Sequence, residues 1–224
     1  MSAWVPRLVL GVGALALIAA VVSLAVGEGG PQPRDVGGVN DVQRLFGGIE
    51  QEGAHLGSDD AEVTVTVFND LQCTTCAEFE LDVVDPLVEE YVRPGDARLE
   101  FRHFSIAPND TTSAAIAAEA AGDQARQWQY LDTFFRNQGL VTAEVTDELL
   151  REIAEAVPEL EPEIWDEDYS SAEAKAAVRE DAMLADQLRL PAEPAAVVSG
   201  PGGQRQLIET PTLTQIEAAI AAVR

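Results

Sequence analysis

The stretch from Glu62 to Cys76 reads EVTVTVFNDLQCTTC. Its first half, Glu62 to Phe68, places Val63, Val65 and Val67 on one face. Thr64 and Thr66 put β-branched side chains on the other, which predicts a buried strand. Two cysteines follow at once in the spacing C-x-x-C, Cys73-Thr74-Thr75-Cys76, and they are the only two in the 224-residue chain. The segment from Thr75 to Tyr91 reads as a helix, with Pro86 inside it to kink it. Beyond it, Ala97 to Phe104 (ARLEFRHF) alternates Leu99, Phe101 and His103 against Glu100 and Arg102, the mark of a second strand.

Working outward, the pattern turns helical between about Thr111 and Leu188. Ala114, Ala117, Ala118 and Ala121 form a small-residue stripe, and Trp128, Leu131 and Phe135 recur at i, i+3 and i+7. Leu149, Ile153 and Val157 mark another helical face. Ser170 to Glu173 reads as a capping box opening a helix that aligns Ala177, Leu184 and Leu188. Ala195 to Val198 and Arg205 to Ile208 then read as two strands joined by the turn Ser199-Gly200-Pro201-Gly202-Gly203. Thr212 and Gln215 cap a last helix with Leu213, Ile216, Ile220 and Val223 inward. A strand–helix–strand unit, a helical block and a strand–strand–helix unit therefore follow in order, with no internal repeat.

Charge and the N-terminal segment bound what such a chain does. There are 39 acidic residues against 14 basic, a formal net charge of −25. A nucleic-acid backbone or an anionic lipid surface is repelled by that field, and nucleic acid is not an expected partner. No D-x-[DN]-x-[DN]-G loop is present, so the acidity reads as solubility rather than calcium binding. His55 and His103, the only histidines, lie too far apart to complete a zinc site with the two cysteines, and no metal site is expected. Leu8 to Val26 is an uncharged apolar run which, as a helix at ~1.5 Å per residue, spans about 28 Å. Arg7 precedes it and Glu28 follows, so the positive-inside rule exports everything after it. A retained anchor is favoured over a cleaved signal because the run exceeds the usual signal core of about 7–15 residues. Either way the cysteines meet an oxidising compartment. Residues 1–27 read as anchor or signal, 28–45 as a Gly- and Pro-rich tether, and 46–224 as the folded domain.

With C-x-x-C lying between a strand and a helix, the order of elements is that of a thioredoxin-like redox motif. The chain resembles the DsbA-like thioredoxin-fold proteins, and among them the membrane-anchored bacterial and archaeal group. The resemblance runs from about Gly48 to the C-terminus. It is carried by Gly48 to Gly53 with Leu56-Gly57, by Val67 to Cys73 with Phe79, by Phe101 to Phe104, and by Trp128 to Gln138 (WQYLDTFFRNQ). Pro194 stands where that family has its cis-proline. The fold implied is α/β: a thioredoxin fold with a helical insertion at about 111–190, preceded by a single transmembrane helix. The activity implied is thiol-disulfide exchange on exported cysteine-containing client proteins. A membrane redox partner would recharge the pair, and no cofactor is needed beyond a Cys73–Cys76 disulfide. Two departures bear on redox poise. The dipeptide is Thr-Thr where strong oxidases carry Pro followed by an aromatic residue or His, and Glu193 precedes Pro194 where Thr or Val is usual.

Position assigns the roles. Cys73 begins a helix, where unpaired N–H groups and the helix dipole favour a thiolate, and Cys76 one turn on is set to be buried and to resolve a mixed disulfide. Thr74 and Thr75 offer hydroxyls to the Cys73 sulfur but no positive charge, which places the poise between a thioredoxin and a strong oxidase. Glu193 would add a like charge beside that thiolate. Asp70, at the strand end, is positioned to relay a proton, whereas Glu78 and Glu80 read as a solvated acidic face. Leu71, Phe79 and the Glu193-Pro194-Ala195 loop are expected to wall a client groove. Trp128, Trp165, Phe134 and Phe135 read as core. Other readings are a reductase or isomerase, a metallochaperone with His103 as third copper ligand, and a redox-inert binding domain.

Overall fold

The computed structural model describes residues 34–105, 112–141 and 145–224. The expected membrane segment 8–26 lies outside them, and no helix among the described residues is long and apolar enough to cross a membrane.

The first element corrects the sequence reading. Val39–Phe46 is a helix, α1, inside the stretch read as tether. Val42, Leu45 and Phe46 are buried at i, i+3 and i+4, so one apolar stripe docks it on the domain. The element spans barely two turns, too little for its period to stand out among the surrounding glycines.

Two short strands, β1 (Gln51–Glu52) and β2 (His55–Leu56), form a hairpin, followed by β3 (Thr64–Asn69). Gly57, just past β2, has φ +108, and a Cβ there would lie 2.8 Å from Val92 Cγ1. Only glycine fits that turn. The helix after the cysteines starts as α2 (Thr74–Phe79) and runs on through wide turns at Glu80–Val84 and Val88–Val92 that flank Asp85–Leu87. The N–H of Asp85 donates five residues back to Glu80 O, and Arg93 does the same to Val88 O. The expected discontinuity at Pro86 thus takes the form of π turns, which make room for a residue without an N–H. Next come β4 (Arg98–His103), the helices α3 (Thr112–Gly122), α4 (Gln127–Arg136), α5 (Asp147–Ala156), α6 (Pro162–Ser170) and α7 (Ala172–Leu188), then β5 (Ala195–Ser199), β6 (Arg205–Glu209) and α8 (Leu213–Val223). The cap of α7 is Ser171, one residue later than the sequence suggested, accepting from Ala174 N. The capping box of Thr212 and Gln215 is present as read.

Among the described residues, six strands form one sheet in the order β1-β2-β4-β3-β5-β6. Only β3 and β4 run parallel, in the register Val65 with Leu99 and Val67 with Phe101. Strand β5 shows how both faces are covered. Ala196 and Val198 join the main core with Ile216 and Ile220 of α8, whereas Ala195 and Val197 meet Phe68, Ala185, Leu184 and Leu188 beneath α7. The insertion has its own aromatic centre. Trp165 stacks on Tyr130 and Tyr169 and donates Nε1 to Ala117 O at 2.9 Å. Trp128 donates to Ala54 O at 3.0 Å and packs edge-on against Phe101, joining the insertion to the β1–β2 hairpin. The four aromatic residues read as core are all buried.

Candidate active site

Strand β3 ends at Asn69 and the chain turns through Asp70, Leu71 and Gln72 before α2 begins, so the C-terminal end of a central strand delivers Cys73 to a helix N-terminus. Asp70 builds that turn. Its carboxylate accepts from Gln72 N at 2.9 Å and its carbonyl from Cys73 N at 3.2 Å. Burial pushes the Asp70 carboxyl up, while the Gln72 N–H, Ser105 and the His103 charge act against that.

Cys73 is the N-cap of α2, with extended backbone at φ −82 and ψ 121. Its Sγ accepts from Cys76 N at 3.3 Å and lies 3.0 Å from Thr75 Oγ1. The sulfur of a capping residue thus takes the place of the usual side-chain oxygen and faces helix donors. Thr74 and Thr75 are both exposed, but only Thr75 is placed on the sulfur. Cys73 is half-buried and Cys76 fully buried, and both are free thiols. Burial pushes the Cys76 thiol far up. The hydrogen bond with Cys73 adds to this, and the charge of Glu193 contributes last, while the Asp70 backbone opposes.

The structure redistributes the expected substrate-contacting residues. The Glu193–Pro194 peptide is cis, and the charge of Glu193 bears electrostatically on Cys76. Leu71 and Phe79 are only 1% and 4% exposed and belong to the core, so their side chains do not wall an open groove. What Leu71 offers is its carbonyl. It accepts from Nε2 of Gln138 at 2.5 Å, and the same nitrogen lies 3.2 Å from Cys73 O.

Glu80 is the largest departure. Read as part of a solvated acidic face, it is wholly buried one turn beyond Cys76, and Asn69 Nδ2 donates to it at 3.3 Å. Burial first, then the charges of Asp132 and Asp85, push its carboxyl well up. Arg136 bridges these two neighbours, 2.9 Å from Asp132 by Nε and paired with Asp85 through its guanidinium. Asp85 is still pushed up to about 7, chiefly by burial. Helical spacing from Cys76 was the one signal in the sequence that Glu80 faces inward with it.

His103 has its own set of partners. Its Nε2 is 2.9 Å from Glu119, and its backbone N–H donates to Asp181, which also pairs with Arg102. His103, Glu119 and Asp181 bring their ligand atoms within 4.8 Å of one another, a geometry capable of holding a metal ion, but neither cysteine is in the group. The copper reading, which needs His103 beside the cysteine pair, gains nothing from this arrangement.

A family model described as thioredoxin matches residues 50–220. The chain belongs to the thioredoxin family. Within it, the probable disulfide bond formation protein D of Bacillus anthracis is 35% identical over 149 residues, covering 65% of this chain and 69% of that protein. Among solved structures, oxidised BdbD from Bacillus subtilis superposes with a TM-score of 0.64 at 22% identity, over 78% of this chain and 96% of that one. DsbA of Chlamydia trachomatis gives 0.62 at 24%, over 76% and 91%. The thioredoxin fold with inserted helices is thereby shown to be DsbA-like, and the protein is a protein-disulfide oxidoreductase by kinship.

Proposed function

We propose that this oxidoreductase forms or exchanges disulfides in extracytoplasmic client proteins, with Cys73–Cys76 as its redox centre. The observation that carries the reading is the asymmetry of the pair. One sulfur is reachable and sits among helix-end donors, while the other is buried and holds its proton strongly. In the oxidising direction a client thiolate attacks Cys73 Sγ of the disulfide, forming a mixed disulfide and expelling the Cys76 sulfur as thiolate, which takes up a proton. A second client thiolate attacks the client sulfur of the mixed disulfide and expels Cys73. Two electrons pass from client to enzyme, one of the two protons lost by the client thiols ends on Cys76 and the other goes to solvent as Cys73 leaves as a thiolate, and the client gains one disulfide.

Residues 8–26 provide the anchor that holds the domain outside the cytoplasm, and a membrane redox partner re-oxidises the pair. The kinship with disulfide bond formation protein D supports the assignment. The test is oxidative refolding of reduced ribonuclease with pre-oxidised protein, together with the equilibrium potential of the pair against glutathione. Stoichiometric recovery of ribonuclease activity, and a potential nearer the ~−120 mV of strong oxidases than the ~−270 mV of thioredoxin, are expected. A potential at the thioredoxin end would instead favour the reductase reading. Retention in the membrane fraction after a carbonate wash tests the anchor, and a soluble product beginning near Val26 removes it.

A further inference from the structure

The C-terminal end of α4 presents three consecutive side chains that fasten three separate segments. Arg136 reaches Asp85 of the cysteine helix. Asn137 exchanges hydrogen bonds with the backbone of Gly37, donating to its oxygen at 3.0 Å and accepting from its nitrogen at 2.9 Å. Gln138 donates to Leu71 O at 2.5 Å and approaches Cys73 O at 3.2 Å. The turn before α2 is therefore held from two sides, its N–H groups by Asp70 and its carbonyls by Gln138.

We infer that Gln138 is a positioning residue for disulfide exchange: by clamping the carbonyls on either side of Gln72 it sets where the Cys73 sulfur stands, which makes the inserted helices part of the redox centre. The inference rests on the proposal that Cys73 is the attacking sulfur. The hydrogen bonds shown for that sulfur, one shared with Thr75 Oγ1 at 3.0 Å and one accepted from Cys76 N at 3.3 Å, both involve neutral groups, and hydrogen bonds weaken steeply once distance and angle slip. Cys73 O already accepts from Cys76 N and Ala77 N, so its place is tied to the first turn of the helix. A turn released at its carbonyls would let the N-cap drift, and the sulfur would lose its donors together. Thiolate stabilisation favours the reduced form, so losing it makes the pair harder to reduce and Cys73 slower to react.

The test uses the full chain. Gln138→Met keeps the volume without a donor, and Gln138→Lys keeps a donor of similar reach. For each variant, the alkylation rate of Cys73 by iodoacetamide in the reduced protein is followed from pH 6 to 8, beside the glutathione equilibrium and the melting temperature. Gln138→Met is expected to alkylate about five- to tenfold more slowly, as for loss of one to two hydrogen bonds, with a more reducing potential and little change in melting. Gln138→Lys is expected to react at or above the wild-type rate. Wild-type alkylation and potential in Gln138→Met, or a loss that Gln138→Lys does not recover, would overturn the inference. Absent ribonuclease refolding with this alkylation pattern intact would count against the proposed function and not against Gln138.

Discussion

The backbone N–H of Cys76 points at the Sγ of Cys73 from 3.3 Å, while the side chain of Cys76 is turned into the core. One residue therefore supplies both a donor to the accessible sulfur and a second, shielded sulfur within reach of it. The first turn of α2 imposes this, because an N-cap side chain faces the N–H groups two and three residues on. A spacing of two intervening residues is what brings the second cysteine to that place.

This division of labour predicts the outcome of trapping. Cys76→Ala should accumulate mixed disulfides with client proteins on non-reducing gels, because Cys73 still attacks and nothing resolves the product. Cys73→Ala should accumulate at least about tenfold less, since the remaining thiol is buried and holds its proton strongly. Equal trapping by the two variants would remove the assignment of roles.

Thr75 is the side chain placed on the Cys73 sulfur, at 3.0 Å. Thr75→Val keeps the shape and deletes that hydroxyl, at a cost to the thiolate of about 1 kcal/mol. The pair should become more reducing by about 20 mV, and Thr74→Val should shift it by much less. Glutathione equilibria of the two variants check the contrast.

Glu193 places its charge on the field at Cys76, as the last of the causes that raise that thiol. Glu193→Thr should therefore speed resolution of a preformed mixed disulfide by a modest factor, about two- to threefold. Stopped-flow release of a client peptide from Cys73 measures it, and a slower release would reverse the assigned sign.

Buried Glu80 makes stability depend on pH. Its folded value is raised, so the folded protein holds a proton that the unfolded chain releases above about 4.3. The stability tied to that proton is full below the unfolded value and is lost as the pH rises toward the folded one, and Asp85, pushed up to about 7, adds a loss of the same sign between about 4 and 7. Glu80→Gln keeps the shape and cannot ionise. It should match wild type near pH 4 and exceed it at pH 8 by about 1 kcal/mol or more, roughly 2–4 °C in melting temperature. Thermal melts across pH 4 to 8 decide this, and a variant less stable than wild type at pH 8 would show that Glu80 is held ionised.

The alternation of Val63, Val65 and Val67, the C-x-x-C spacing and the capping box at Thr212 were all legible without coordinates, because each is a local pattern that one strand or one helical turn dictates. That is why strands β3, β4, β5 and β6 stand where their alternation puts them, and why Trp128, Trp165, Phe134 and Phe135 are core residues, whereas the short helix Val39–Phe46 escapes a period-based reading. Side chains whose role depends on a distant segment were not legible. Glu80 looked like one more member of a carboxylate-rich surface until Asn69, Asp132 and Asp85 closed over it. Leu71 and Phe79 looked like groove walls until packing took them into the core. Gln138 was only the end of a familiar stretch, yet its amide spans 67 residues of sequence to reach Leu71 O. Periodicity says which face of an element turns inward. Only tertiary packing decides what it meets there, because burial, hydrogen-bond partners and the field at a sulfur are set by segments far apart in the chain.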